Sequence, residues 1–551
     1  MNMTKSRKTS NCHKPACALT KGGKAITFDF GPAKHTSPID WYVQLGQKVP
    51  VSACRAGTGR IEDDKRRGEF KVTPKGKAVA ITMRAALKIH HNLGIDEVGF
   101  SVKLPKNTSL WSWQTHYPAS TAPGLVLRNN MTYGCLKLVM FKWRGKVLRF
   151  VCKWQVGEAY TAGTIVKDDE GWTLNWRWEV KSPYPQRTGW MPPVEFEVFD
   201  SFEEAAADYG RWVGREFKLK PREENPNIPA WFHQTRSVVG LWLIKNDGTQ
   251  CHDFKDVERL TAELERIDAP RDTMLYLMGW DDGYGPRNGL YETGKRNGGD
   301  AGLKRLCATA HKRGFRIVLH SGVYLLDKTV REYREKFFPA IIRTGYWREA
   351  HWPAAGREYA FPIPIGLLNP NYKPWREHVI KGLSRLVGLG VDGFMFDSID
   401  GQPNDPGHGN TRTGLEIIFH TLRKRHPGLL LTSETPTERS MQWMAGFAPY
   451  GTDPKRLQVG EHTGEGSDKA VFDFAPMRAI LSPYVYLFAH DGGFPIAVKE
   501  HGPVYVKRED FRQVVELQRQ RDDFACVSLN FRDHGIDPEA KRLILRGGAR
   551  K

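Results

Sequence analysis

Residues 390–398 read GVDGFMFDS, and residues 429–436 read LLLTSETP. In each stretch a short apolar run ends on a carboxylate, Asp397 in the first and Glu434 in the second. An unpaired carboxylate taken out of water is costly, so neither belongs in the middle of a buried strand. Each belongs where a strand meets solvent, or where a neighbour needs its charge. Both runs have the length and apolar content of strands, and Pro436 stops the second one two residues past Glu434.

Working outward, further apolar runs flank these two: SVVGLWLI (237–244), TMLYLMGW (273–280) and FRIVLHSGVYLL (315–326). Between them lie AGLKRLCATAHKRG (301–314) and WREHVIKGLSRLVGLG (375–390), whose apolar positions recur at three and four, the spacing of a helix face. Strand–helix alternation predicts a parallel sheet, and its span of roughly 320 residues suits a (β/α)8 TIM-type barrel with insertions. MAGFAPY (444–450), AILSPYVYLF (479–488) and FACVSLNF (524–531) are the expected sixth, seventh and eighth strands. In such a barrel the residues that end the strands project into the mouth. That places Asp397 after the fourth strand and Glu434 after the fifth, and neighbouring strands lie about 4.8 Å apart.

The first 200 residues have a different texture. GWTLNWRWEV (171–180) puts Trp172, Leu174, Trp176, Trp178 and Val180 on one side and Thr173, Asn175, Arg177 and Glu179 on the other, the period-two pattern of a half-buried strand. LKLVMFKWRGKVLRFVCKW (136–154) reads as a hairpin turning at Arg144-Gly145-Lys146. Strands without intervening helices predict a β-sandwich. SFEEAAADYGRWVGREF (201–217) then opens with Ser201 and Glu204 in capping-box spacing, and the Pro-rich KLKPREENPNIPAW (218–231) follows. The expected organisation is a β-sandwich domain over 20–200, a linking helix and linker over 201–229, and the barrel as catalytic domain over 230–551.

Composition narrows the partners. The 551 residues carry 82 Lys+Arg against 62 Asp+Glu, a formal charge of +20, and are 40% hydrophobic and 11% aromatic. The excess charge favours acidic partners, but the clusters DDKRRGEFK, KLKPREE and LRKRHPG are mixed in sign or brief, and no nucleic-acid motif accompanies them. A scattered basic surface is the expectation, with no specific nucleic acid and no membrane as partner. The start, MNMTKSRKTSNCHKPACALT, has no apolar core of a signal peptide, so the expectation is cytoplasmic, with export left open if the start is misassigned. The eight cysteines are spread out except Cys12 and Cys17, which flank His13 in no trusted zinc pattern, so free thiols and no metal or cofactor are expected.

Two carboxyl groups about 5 to 5.5 Å apart are what a retaining glycosidase needs, one ionised as nucleophile and one protonated as acid and then base. Like charges that close favour keeping one partner protonated near neutral pH. Asp397, short and rigidly placed, fits the nucleophile; Glu434, one methylene longer, has the reach to protonate a glycosidic oxygen. A helix cap or an ion pair is the structural alternative for either residue. LMGWDDGYG (277–285) adds Trp280, Asp281 and Asp282 after the second strand, IVLHSG adds His320 after the third, and SIDGQPNDPGHGN (398–410) adds Asp400 over the mouth. An indole under a sugar ring with carboxylates on its hydroxyls would bind a pyranose. Asp281-Asp282-Gly283 reads equally as a turn, and His320 as a packing histidine.

The stretches GGDAGLKRLCATAHKRGFRIVLHSG, LLNPNYKPWREHVIKGLSRLVGLGVDGFMFDS and LLLTSETPTERSM resemble the barrel core of uncharacterised bacterial glycoside-hydrolase-like proteins of the DUF6259 type. These are relatives of retaining α-glycosidases that join a β-sandwich to a (β/α)8 barrel. The resemblance spans roughly residues 225–490. It implies an Asp nucleophile ending strand four and a Glu acid/base ending strand five, which fall on Asp397 and Glu434, and an oligosaccharide or glycoside substrate. Met395 stands where α-amylase-like enzymes carry an Arg two residues before the nucleophile, which argues against starch. Some related barrels take the acid from strand six, which makes Asp453 and Glu461 competitors. The leading expectation is a glycosidase acting on an α-linkage with retention. The alternatives are a catalytically silent carbohydrate-binding protein of the same fold and a polyanion or nucleic-acid binder.

Overall fold

The computed structural model describes residues 17–19, 25–30, 33–45, 60–62, 66–75, 78–87, 95–112, 115–120, 123, 126–130, 138–153, 160–179, 187–245, 248–281, 289–343, 365–397, 399, 404–405, 407–434, 436–448, 471–488, 523–529, 531–536 and 538–547. Two antiparallel sheets occupy the N-terminal part, one of seven strands and one of nine. Their facing side chains form a single buried cluster: Phe28, Phe100, Trp172, Leu174 and Trp176 come from the first sheet, Ile81, Phe141, Phe150 and Phe196 from the second. The alternation read from GWTLNWRWEV accounts for this, since Trp172, Leu174 and Trp176 are all fully buried. The hairpin pairs Leu138–Trp143 with Lys146–Cys152 around the two-residue turn Arg144-Gly145. Both turn residues have positive φ, 48° and 79°, the mirror-image turn whose twist matches that of the strands. Val471–Phe472, far along the chain, pairs with Thr115–Tyr117 and so supplies one of the nine strands of the second sheet.

Helix α1 (Phe202–Glu216) begins at Ser201, whose hydroxyl accepts the Glu204 N–H at 3.1 Å. The return half of the expected capping box goes elsewhere, because the Glu204 carboxylate accepts the Asp200 N–H at 3.0 Å. This helix is bolted to the nine-stranded sheet by Arg149, which is fully buried. The Arg149 guanidinium donates to the Ala205 carbonyl at 2.7 Å and meets Glu197 at 3.1 Å and Asp208 at 2.9 Å. Burial pushes the Glu197 carboxyl up; burial acts on Asp208 too, but there Arg149 outweighs it and holds the group down. Arg149→Leu removes the buried cation that Glu197 and Asp208 share, leaving Asp208 with Arg211 at 3.4 Å, the costly way to break a buried pair. Because Asp208 keeps partial contact with water, the expected loss is about 3 kcal/mol, read as a lower denaturant midpoint of the first unfolding transition. An unchanged midpoint would refute this account of the joint.

The C-terminal part holds eight parallel strands in one sheet: β1 (Ser237–Trp242), β2 (Met274–Met278), β3 (Arg316–Ser321), β4 (Gly393–Phe396), β5 (Leu430–Ser433), β6 (Gly446–Phe447), β7 (Tyr486–Leu487) and β8 (Ala525–Ser528). They lie in chain order from β1 to β7, with β8 beside β1. Each falls within a run expected to be a strand. Helices α2 (Ala230–Gln234), α3 (Phe254–Arg266), α4 (Gly299–Lys312), α5 (Lys373–Gly388) and α6 (Arg412–Arg425) precede or alternate with them. Side chains of opposite parity separate into two clusters. Val238, Met274, Tyr276, Val318, Met395, Leu430, Phe488 and Cys526 form one, to which β1 through β5 and β8 all contribute. Leu241, Leu275, Leu277, Ile317, Phe394 and Leu431 join the helices in the other. One cluster drawn from opposite edges of a sheet requires the sheet to be curled around it. No strand ladder joins β7 to β8 among the described residues; the two edges meet where the Asp523 N–H donates to the Leu487 carbonyl at 2.7 Å. Among the described residues the architecture is therefore a curled (β/α)8-like sheet, open between β7 and β8, with separate antiparallel sheets beside it.

The turn-like Asp392-Gly393 at the start of β4 has a structural use. The Asp392 carboxylate accepts the Ile317 N–H at 2.8 Å and pairs with His311 at 2.8 Å and Arg316 at 3.4 Å, tying the start of β4 to β3. No helix among the described residues is long and apolar enough to cross a membrane. Cys152, Cys307 and Cys526 are buried and Cys251 is half-buried.

Candidate active site

The period of two that buries Met395 inside the sheet carries Asp397 to the same face one step past the end of β4. The same count from Leu430 through Thr432 reaches Glu434 past β5, and from Val318 reaches His320 in β3. The ladder aligns them: Phe396 pairs with Ser433, one residue before each carboxylate, and His320 pairs with Met395. The Asp397 N–H donates to the Ser321 carbonyl at 2.8 Å, which fixes the backbone at the strand end. Asp397, Glu434 and His320 are 6%, 1% and 7% exposed. A carboxylate oxygen of Asp397, one of Glu434 and a ring nitrogen of His320 all lie within 4.8 Å of one another.

Below them stands Tyr276, on the inner face of β2 and all but fully buried. Its hydroxyl is hydrogen-bonded to His320 Nδ1, and the two rings meet edge-on at 67° with centroids 5.7 Å apart. Burial first, then the charges of Glu434 and Asp397, push its phenol well above the usual range, so it keeps its proton. Tyr276 was absent from the sequence-based set because an aromatic inside an apolar run reads as core. Its inward parity, shared with Met274 and Met278, is the signal that would have found it.

Trp280 follows β2 as expected, but it is 1% exposed, and its indole N–H donates to the His320 carbonyl at 2.6 Å. That is the geometry of an anchor for β3 and not of an open platform for a sugar. Asp281 is 2% exposed and lies near Tyr291, whose phenol is raised by burial and then by the Asp281 charge. Tyr291 in turn donates to the Gly322 carbonyl at 2.6 Å, so the ends of β2 and β3 are cross-braced. Asp282 and Asp400 lie outside the described residues, as do the competing acids Asp453 and Glu461. Met395, at the place of the α-amylase-type Arg, is fully buried in the inner cluster.

An imidazole and two carboxylates this close are also a donor set that a divalent ion accepts. What the arrangement offers chemically is a pair of carboxyl groups at adjacent strand ends with a histidine to their side.

The overall structure is similar to that of the alpha-N-acetylgalactosaminidase NagBb from Bifidobacterium bifidum, with a TM-score of 0.65 and 14% identity over 92% of this chain and 91% of that one. It is also similar, at a TM-score of 0.50, to an alpha-galactosidase from Lactobacillus brevis, with 12% identity over 94% of this chain and 71% of that one. The alpha-galactosidase AgaA from Geobacillus stearothermophilus also reaches 0.50, with 11% identity over 97% and 76%. At such identities the likeness concerns the fold. No family model and no curated protein matches the chain, so nothing supports the narrower likeness to the DUF6259 type.

Proposed function

We propose that this chain is a glycoside hydrolase that cleaves an α-linked glycosidic bond with retention, using Asp397 as nucleophile and Glu434 as acid and then base. The observation that carries the reading is the approach of the two carboxylates to within 4.8 Å at the ends of β4 and β5. An approach this close is nearer the roughly 5 to 5.5 Å of retaining enzymes than the roughly 6.5 to 9.5 Å of inverting ones, which hold a water between the two groups. In the first step an Asp397 oxygen bonds to the anomeric carbon while Glu434 gives its proton to the departing oxygen. In the second, Glu434 takes a proton from water, whose oxygen bonds to the anomeric carbon and releases Asp397. Asp281, Asp282 and Asp400 supply acceptors for sugar hydroxyls in this reading.

The α configuration is supported by the fold neighbours, which are named as an alpha-N-acetylgalactosaminidase and alpha-galactosidases. In this reading the antiparallel sheets of 20–200 form a β-sandwich, 201–229 links, and the eight strands of 230–551 close as a barrel. The test is a screen of aryl galactosides and N-acetylgalactosaminides of both anomers, with the first product followed by proton NMR. Hydrolysis of the α-anomer with an α-configured first product is expected. A β-configured first product would mean that the carboxylates flank a water, and the nucleophile role of Asp397 would fall.

A further inference from the structure

We propose that Tyr276 is a positioning residue for the carboxylate pair: its hydroxyl donates to His320 Nδ1, which places the imidazole proton on Nε2 and directs it at Asp397 and Glu434. This rests on the reading of those two residues as nucleophile and acid/base. Ladder register sets out the relay. Tyr276 pairs with Val318, two residues before His320, and His320 pairs with Met395, two residues before Asp397. Each member therefore stands one inward-facing position further along the strands than the last. At the level of Tyr276 the next strand contributes Gly393, paired with Val318 and Leu430. A Cβ there would come within 2.6 Å of the Leu430 side chain, so that position has to stay bare.

The imidazole is held from two sides. Tyr276 grips Nδ1, and the Trp280 indole N–H holds the backbone carbonyl of the same residue at 2.6 Å. A phenol surrounded by apolar residues and by two carboxylates has every reason to remain O–H, and its one proton is spent on Nδ1. The neutral ring then carries its own proton on Nε2. One ring nitrogen lies within 4.8 Å of both carboxylates; with Nδ1 taken up by Tyr276, the proposal gives that approach to Nε2–H, which serves whichever is ionised: Asp397 before attack, and Glu434 once Asp397 has become the glycosyl ester. Fixing the donor by two hydrogen bonds removes a reorganisation that the reacting groups would otherwise have to undergo in each half of the cycle.

The experiment is nitrogen NMR of the full chain labelled with 15N-histidine, with the His320 signals assigned by their loss in His320→Gln. In the wild type, Nδ1 is expected to resonate as a bare acceptor and Nε2 as protonated; in Tyr276→Phe the two tautomers should mix. On an active aryl glycoside, Tyr276→Phe should lower kcat by about 10- to 100-fold, the scale of a misplaced catalytic group, with KM little changed. A wild-type Nδ1–H tautomer would overturn the proposal, and so would a Tyr276→Phe protein with unaltered tautomer and kcat. Displacement of both His320 signals by one equivalent of Zn2+ or Mn2+ would also overturn it, by making the ring a metal ligand. The wild-type spectrum decides the tautomer even if Tyr276→Phe does not fold. It does so as well for a protein that hydrolyses no glycoside, so failure of the relay and failure of the glycosidase reading are separate results.

Discussion

Asp397→Asn should cut turnover by a factor on the order of 10³ or more, about 4 kcal/mol of barrier, while the affinity for the sugar stays nearly unchanged. The amide has the size and shape of the carboxylate but neither its charge nor its nucleophilicity. The backbone of residue 397 is pinned by its N–H to the Ser321 carbonyl at 2.8 Å, which the substitution does not touch. Asn also takes a charge out of a site that is 6% exposed, so the variant should melt no lower than the wild type. Calorimetric binding of the free sugar, a melting curve and a turnover assay together separate chemistry from folding. A silent carbohydrate-binding protein would show binding in both forms and turnover in neither; retained turnover in Asp397→Asn would remove the nucleophile assignment.

Why the pair was legible in the sequence comes down to parity. An apolar strand buried on both faces gives no alternation to read, yet its last residue still has to point inward or outward, and a carboxylate there is conspicuous. Counting by two from Met395 and Leu430 reaches Asp397 and Glu434, and the ladder aligns Phe396 with Ser433 just ahead of them. The eight apolar runs were legible for the same reason, although β6 and β7 retain only Gly446–Phe447 and Tyr486–Leu487 as ladder residues.

What the sequence did not disclose depends on contacts between distant residues. Val471–Phe472 is a strand only because Thr115–Tyr117 lies beside it, and two residues carry no periodicity of their own. Glu204 has capping-box spacing, yet its carboxylate turns to the Asp200 N–H, a choice made by local backbone geometry. Trp280 has the composition of a sugar platform and the burial of an anchor, since its N–H finds the His320 carbonyl at 2.6 Å. Tyr276 was hidden by the reverse effect: the phenol looks like core until its hydroxyl is seen to meet His320.

Glu434 should show its role through the leaving group. With Glu434→Gln, glycosides of basic alcohols, which depart only when protonated, should lose about 10²- to 10⁴-fold in kcat/KM, the usual contribution of general acid catalysis. Glycosides of acidic phenols leave unaided, so their glycosylation should be slowed far less. The second step then becomes limiting, because no base remains to activate water, and the glycosyl ester on Asp397 should accumulate as a burst of phenol. Glu434→Ala opens space for a small anion at a position otherwise 1% exposed. Azide needs no general base, so it should restore turnover of the phenol glycosides and yield a glycosyl azide with the configuration of the substrate. A glycosyl azide of inverted configuration would mean that the anion entered on the face opposite the leaving group and that no ester formed on Asp397. Equal losses across all leaving groups, with no azide rescue, would move the acid/base role away from Glu434 and toward Asp453 or Glu461.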